Sequence, residues 1–403
     1  MLKTGPKSII ILFAIIALCT CIDPYYPKLK GYETMLVVDG LITDENSSYT
    51  VKLSRTNQEQ NAASEIVQDA TVYITDDANN ISLLENYGNG IYKSDSLNFR
   101  GTAGKKYTLH ILTGNGNEYM SDQCIMRPVP DIDSLYFARD QEFVNNGTEN
   151  LTGARIYLDS KTGDADQYFR WGFIETWKFK LPTVKKYDYI NSKTIIPVTN
   201  IKQFCWKSRK SDGILIHPAN SGQNENIRKQ PIFFIATDKS DRLMIEYSIL
   251  VNQYSISKKE YDFWDKLKRT DESGGDIFAS QPYSVLSNIH NIKDPEERVL
   301  GYFQVSALKQ KRIFITSYQA FMMNLPFYHY SECTRIEDGP DISAMSFDDI
   351  YVMYCINSDY SFIEPEYSPD TGQLYRLVFA RPECANCELT GTSEKPVFWK
   401  DIY

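Results

Sequence analysis

Ten unbroken apolar residues, Ile9–Leu18, follow Lys3 and Lys7 and run directly into Cys19-Thr20-Cys21. A positive segment, a short apolar core and a processing site in this order make an export signal. The run is too short for a membrane-spanning helix, which needs roughly 20 residues. Residues 1–20 are therefore expected to be removed, and the rest to fold outside the cytosol, where thiols can be oxidised. Cys21 has an aliphatic residue, Leu18, three positions before it and Thr20 immediately before it. This spacing makes Cys21 the expected lipidation site. Cys19 fits worse, because Leu18 would take the small-residue position. Thr20 is larger than the Gly, Ala or Ser usual there, and the alternative is ordinary cleavage leaving two spare thiols. Each buried methylene of an acyl chain adds about 0.8 kcal/mol, so several chains hold a protein at a bilayer.

Residues 21–33 carry two prolines and a glycine (CIDPYYPKLKGYE) and read as a lipid-proximal tether. Strand signals then come at short intervals: Met35–Ile42, Tyr49–Ser54, Ala70–Thr75, Lys106–Leu112 and Glu118–Ser121, rich in β-branched and aromatic residues. Asn and Gly clusters separate them, and Asn115-Gly116 is a hairpin signal. Short strands so punctuated predict an Ig-like or transthyretin-like β-sandwich over residues 34–127. The pattern Asp69-Ala70-Thr71-Val72, then Gly90-Ile91-Tyr92, then Gly104-Lys105-Lys106-Tyr107-Thr108-Leu109 resembles the carboxypeptidase regulatory-like and transthyretin-like modules. Met126-Arg127-Pro128-Val129-Pro130 breaks it.

Residues 131–403 predict a larger antiparallel β domain, making the whole chain mainly β. Its clearest strands are Arg155–Leu158, Tyr168–Lys180, Pro231–Ala236, Arg242–Gln253, Gly301–Leu308, Lys311–Ser317, Asp349–Ile356 and Gln373–Phe379. One inserted helix is expected near residues 258–270, opened by the capping box Ser257-Lys258-Lys259-Glu260 with Ile256 and Tyr261 as its staple. Tyr261, Trp264 and Leu267 follow at helical spacing, so Trp264 is expected to pack inward.

Six cysteines follow Cys21, an even number that suits disulfides in an exported chain. Cys384-Ala385-Asn386-Cys387 is a CxxC without a second CxxC to complete a zinc site and without a thioredoxin-like βαβ setting. Cys384 and Cys387 are thus disulfide candidates, either with each other or with distant partners such as Cys205 and Cys333. The chain's net charge is −9, and −11 without Lys3 and Lys7, which argues against a nucleic-acid partner.

Chemistry leaves little trace. His110, His217, His290 and His329 stand singly, with no zinc-binding spacing, and no nucleophile elbow or phosphate-binding glycine loop occurs. Asp164-Ala165-Asp166 lacks the spacing and closing Glu of a calcium loop. No catalytic residue, metal ligand or cofactor is assigned, and the ligand stays unidentified. The alternatives to a binding role are a secreted glycan or peptide hydrolase and a structural or adhesive surface protein.

One order of segments runs through most of the mature chain. It starts with Cys21-Ile22-Asp23-Pro24-Tyr25 and Leu36-Val37-Val38-Asp39-Gly40, and continues through Tyr168-Phe169-Arg170-Trp171 and Cys205-Trp206. It ends with Tyr247–Ser257, Asn288-Ile289-His290, Val299–Phe303, Cys384–Cys387 and Lys395–Trp399. In this it resembles the domain of unknown function 4249 family of Bacteroidota lipoproteins. The resemblance implies an outer-membrane lipoprotein, on the periplasmic or the surface face, accessory to a TonB-dependent receptor. It implies no catalytic residues.

Overall fold

The computed structural model describes residues 34–57, 64–145, 147–162, 167–218, 226–272, 285, 287–340 and 345–400. The export signal, Cys21, the tether and Asp164-Ala165-Asp166 lie outside them. The protein is mainly β, as its strand signals predict.

The first nine strands are β1 (Leu36–Ile42), β2 (Thr50–Arg55), β3 (Glu65–Ile66), β4 (Thr71–Asp76), β5 (Ile81–Asn86), β6 (Ile91–Ser94), β7 (Lys106–Leu112), β8 (Glu118–Ser121) and β9 (Cys124–Ile125). Each longer strand alternates, so that Val38, Leu53, Tyr92, Ile74, Leu109 and Tyr119 share one buried face. Next come β10 (Ile132–Val144), β11 (Glu149–Ser160), β12 (Tyr168–Phe179), β13 (Tyr187–Asn191), β14 (Thr194–Pro197), β15 (Cys205–Lys210), β16 (Leu215–His217), β17 (Ile227–Ala236) and β18 (Glu246–Ile256). Helix α1 (Lys258–Glu272) follows, then β19 (Ile289–Asn291), β20 (Val299–Val305) and β21 (Leu308–Thr316). The last part holds α2 (Ser317–Met322), β22 (Ile336–Asp338), α3 (Phe347–Tyr351), β23 (Ser361–Tyr367), β24 (Leu374–Ala380) and α4 (Pro382–Ala385).

Among the described residues the largest sheet has eleven strands, in the order β19-β8-β7-β4-β5-β6-β2-β1-β20, with β3 and β9 at its side. Two of its strands, β19 and β20, come from residues 289–305, far along the chain from the rest. They stand at opposite ends of the order, yet the Asn288 side chain nearly closes the sheet. Its Nδ2 donates to the Phe303 carbonyl, and its Oδ1 accepts from the Phe303 N–H, both at 2.9 Å. A side-chain amide there does the work of a neighbouring strand.

A second body is a sandwich. Sheet β10-β11-β17 packs on sheet β15-β12-β18-β21, with Phe173 and Phe233 rings 4.9 Å apart between them. Strand β12 turns Phe169, Trp171, Phe173, Trp177 and Phe179 into this interior, together with Glu175, which is satisfied by Arg242. The sandwich and the first sheet share one continuous apolar core. Beyond it, β22-β24-β23 and the hairpin β13-β14 enclose a smaller cluster of Tyr189, Ile350, Phe362, Leu377 and Phe379.

Helix α1 begins at Lys258 as its N-cap predicts, with Ser257 Oγ accepting from the Glu260 N–H at 3.1 Å. The reciprocal half of the capping box is missing, because the Glu260 carboxylate turns inward. Shorter helices accompany it. One of them corrects an expected strand: Asp349–Ile356 is helical, spanning the end of α3 and a π-turn at Val352–Ile356. Ser346 and Asp349 there form a complete capping box, which outweighs the β-propensity of Ile350, Tyr351 and Val352. No helix among the described residues is long and apolar enough to cross a membrane.

Candidate functional site

The outer face of the large sheet, the outward side chains of β12, β18 and β21, and one side of α1 come together around a gap. This leaves a cleft of about 850 Å³. That size suits a small-molecule ligand. Its floor is set by strand register. Gly172 on β12 lies opposite Asn252 on β18, which lies opposite Gln310 on β21. Gln310 Nε2 donates to Asn252 Oδ1 at 2.9 Å, so the two amides form a polar strip beside the glycine. One row along, Arg170 stands opposite Tyr254, and Tyr254 opposite Leu308.

The walls come from elsewhere in the chain. Asp39 and Leu41 of β1, Lys52 of β2 and Tyr302 and Gln304 of β20 face the cleft from the large sheet. Phe263, Trp264 and Leu267 face it from α1 at helical spacing. The Arg170 guanidinium lies 4.2 Å from the Trp264 ring centroid and 5.7 Å from that of Tyr254. Its Nη1 donates to Gln304 Oε1 at 2.6 Å.

Glu260 is the second unusual group. It is 3% exposed and accepts from Trp264 Nε1 at 3.3 Å. Burial pushes its carboxyl up to about 7, against the pull of Arg170 and the Trp264 hydrogen bond. Burial lowers the Arg170 guanidinium from its ordinary value, with Glu260, Tyr254 and Asp39 acting the other way. Tyr302 is raised well above the usual phenol range by burial and by Glu260.

On the far side of Glu260 is a smaller pocket of about 440 Å³, lined by Asp122, Cys124, Arg127, Lys259 and Tyr302. His290 Nε2 is 3.0 Å from Asp122 Oδ1, and Asn288 Nδ2 donates to Cys124 Sγ at 3.3 Å. Burial, followed by the charge of Glu260, pushes the Cys124 thiol up to about 12. At neutral pH it is therefore a thiol, not a nucleophilic thiolate.

Of the residues singled out in sequence, the four disulfide candidates come together in pairs. Cys205 bonds to Cys387 and Cys333 to Cys384, so the CxxC is not closed on itself. Cys124 and Cys355 are free. None of these sulfurs lines the cleft. The histidines remain apart. His110 stacks on Tyr73 at 4.6 Å, and His217 lies edge-on to Trp171 at 6.1 Å. Among the described residues no three His, Cys, Asp or Glu side chains gather to hold a metal.

Trp264, expected to pack inward, is half-buried and forms a cleft wall. Sequence reasoning missed Arg170, Gly172 and Glu260 as site residues. The signal was present: a charged residue and a glycine break the aromatic strand Tyr168-Phe169-Arg170-Trp171-Gly172-Phe173.

The family described as Domain of unknown function (DUF4249) matches residues 22–312, which include every residue of the cleft. No curated protein matches the chain.

Proposed function

The chain belongs to the domain of unknown function 4249 family, and on that premise we propose that it is a lipid-anchored outer-membrane protein that captures a small ligand and serves a TonB-dependent uptake system as an accessory. The cleft carries the capture reading. It is large enough for a ligand, has aromatic walls and a polar floor, and holds an arginine whose hydrogen-bonding capacity is mostly unused among the described residues. The anchor reading is supported by Leu18-Cys19-Thr20-Cys21 behind an apolar segment. Tethering by Cys21 would hold the cleft near the membrane, where a receptor could collect what it holds.

Each part has its own test. The Cys21→Ala variant should leave the membrane fraction; its retention there would end the anchor reading. Solubilised outer membranes should yield the protein together with a TonB-dependent receptor, and recovery of the protein alone would remove the accessory role. Native protein denatured after purification should release a small molecule seen by mass spectrometry. A Gly172→Leu variant, which fills the floor of the cleft, should release none. Equal release from both proteins would show that the cleft is not the capture site.

A further inference from the structure

The unspent donors of Arg170 define what the cleft can seat. A guanidinium carries five N–H donors in a planar fork. One of them is spent, on Gln304 Oε1. Among the described residues no carboxylate lies within ion-pair distance of Arg170, and it makes no other hydrogen bond. One face of the fork is taken by Trp264 at 4.2 Å. The edge remains, and the edge is where a guanidinium binds a two-oxygen anion with paired hydrogen bonds. Glu260 and Asp39 act on this cation only from beyond contact distance, and a partly buried cation without a direct ion pair is a costly arrangement, which an arriving anion relieves.

The rest of the wall limits the charge of that anion. Asp39, Glu45 and Asp212 face Lys52, Lys210 and Arg170, so acids and bases balance around the cleft. Such a lining gives no field to draw in a polyanion and no surplus of acids for a polycation. Gly172 supplies the space. It sits inside a twelve-residue strand, where a glycine weakens pairing and often marks close approach by a ligand. A Cβ built there would touch only Ser211 Oγ, at 3.5 Å, so neither packing nor backbone conformation demands a glycine.

We propose that the cleft binds a compound with a single carboxylate, held edge-on by Arg170, whose uncharged body lies over Gly172 on the amides of Asn252 and Gln310. This rests on the capture reading and adds the chemical class of the ligand.

The test is calorimetric titration of the detergent-solubilised full chain with benzoate, 4-phenylbutyrate and glucuronate, each beside its primary amide. At least one acid should bind ten-fold or more tighter than its amide. Arg170→Gln should erase that preference, and Arg170→Lys, which keeps the charge without the fork, should reduce it several-fold. Gly172→Leu should abolish binding of acid and amide alike. If acid and amide bind equally and Gly172→Leu abolishes both, the carboxylate inference falls and the capture reading stands. Binding indifferent to Gly172→Leu overturns both. Absence of binding by every compound overturns the carboxylate inference alone, because the capture reading is decided by what the native protein releases.

Discussion

The guanidinium of Arg170 lies 4.2 Å from the ring centroid of Trp264, and the same indole donates its N–H to Glu260. One ring thus ties a strand of the sandwich to the first turn of α1. Trp264→Leu keeps an apolar group at that place but removes the ring face and the N–H. A partly desolvated cation–π contact and a hydrogen bond to an acidic group together contribute about 2 kcal/mol. Urea denaturation of the variant should show a loss of that size, and a loss below about 0.5 kcal/mol would mean that Arg170 and Glu260 do not depend on the ring.

Glu260 should leave a mark on the pH dependence of stability. Its folded-state value is raised from 4.5 to about 7, first by burial. The folded protein therefore holds this proton more tightly than the unfolded chain does. Below about 4.5 both states are protonated and no penalty exists; as pH rises to about 7 the fold loses roughly 3 kcal/mol, and the loss levels off above that. Glu260→Gln removes this dependence, so the variant should gain on the wild type through that window. Arg170, Tyr302 and Cys124 face the carboxyl from β12, β20 and β9, and the variant leaves all three in place. Parallel stability profiles for the two proteins between pH 4 and 8 would contradict the assignment.

What the sequence disclosed follows from the range of the forces involved. The β-branched and aromatic content of β1, β4 and β7 and the turns beside them are local, so those strands could be read directly. The start of α1 was legible because Ser257 and Ile256 act within one turn. The return of β19 and β20 to the first sheet was not, since Asn288 meets the Phe303 backbone through pairing no local pattern encodes. Helical spacing correctly placed Trp264 on the inner side of α1, but spacing cannot tell a core from a cleft. The distant partners of Cys384 and Cys387 are illegible for the same reason: three residues apart in sequence, these cysteines bond to the segment after α2 and to strand β15.

Glu175 and Arg242 form a two-pronged ion pair, Nε to Oε2 and Nη2 to Oε1, both at 2.8 Å, and Tyr247 Oη adds a third bond to the carboxylate at 3.1 Å. The Glu175 side chain is 1% exposed. Arg242→Met strands that charge in the core and should cost about 3–5 kcal/mol. The double variant Glu175→Leu with Arg242→Met should recover much of the loss, because two apolar groups need no partner there. A single variant that loses less than about 1 kcal/mol would show that Glu175 finds another counter-charge.

The disulfides make a prediction about peptides as well as stability. Trypsin has no site between Cys384 and Cys387, so one peptide carries both. In unreduced protein that peptide should be found joined to the Cys205 peptide and to the Cys333 peptide at once. A Cys384–Cys387 link would instead release the other two free. The Cys333–Cys384 bond closes a separation of 51 residues, and the chain-entropy account gives it about 4 kcal/mol when formed alone. It lies inside the span closed by Cys205–Cys387, so reducing both should cost less than the sum of the separate losses.

Two strand glycines should respond in opposite ways. Gly301 pairs in parallel with Val38, has a φ of +87°, and a Cβ there would sit 1.9 Å from the Val38 carbonyl oxygen. Gly301→Ala must therefore push β20 off β1 or distort it, and a cost of about 3 kcal/mol or more is expected. Gly172 has neither constraint. Gly172→Ala restricts the unfolded chain without a clash and should shift stability by less than about 1 kcal/mol, toward the stable side. Equilibrium unfolding of the two variants separates the cases, because a glycine needed by the backbone cannot be replaced cheaply and one that only leaves room can. An unchanged midpoint for Gly301→Ala would mean that β1 and β20 are not in this register, and the sheet face that forms one wall of the cleft would have to be redrawn.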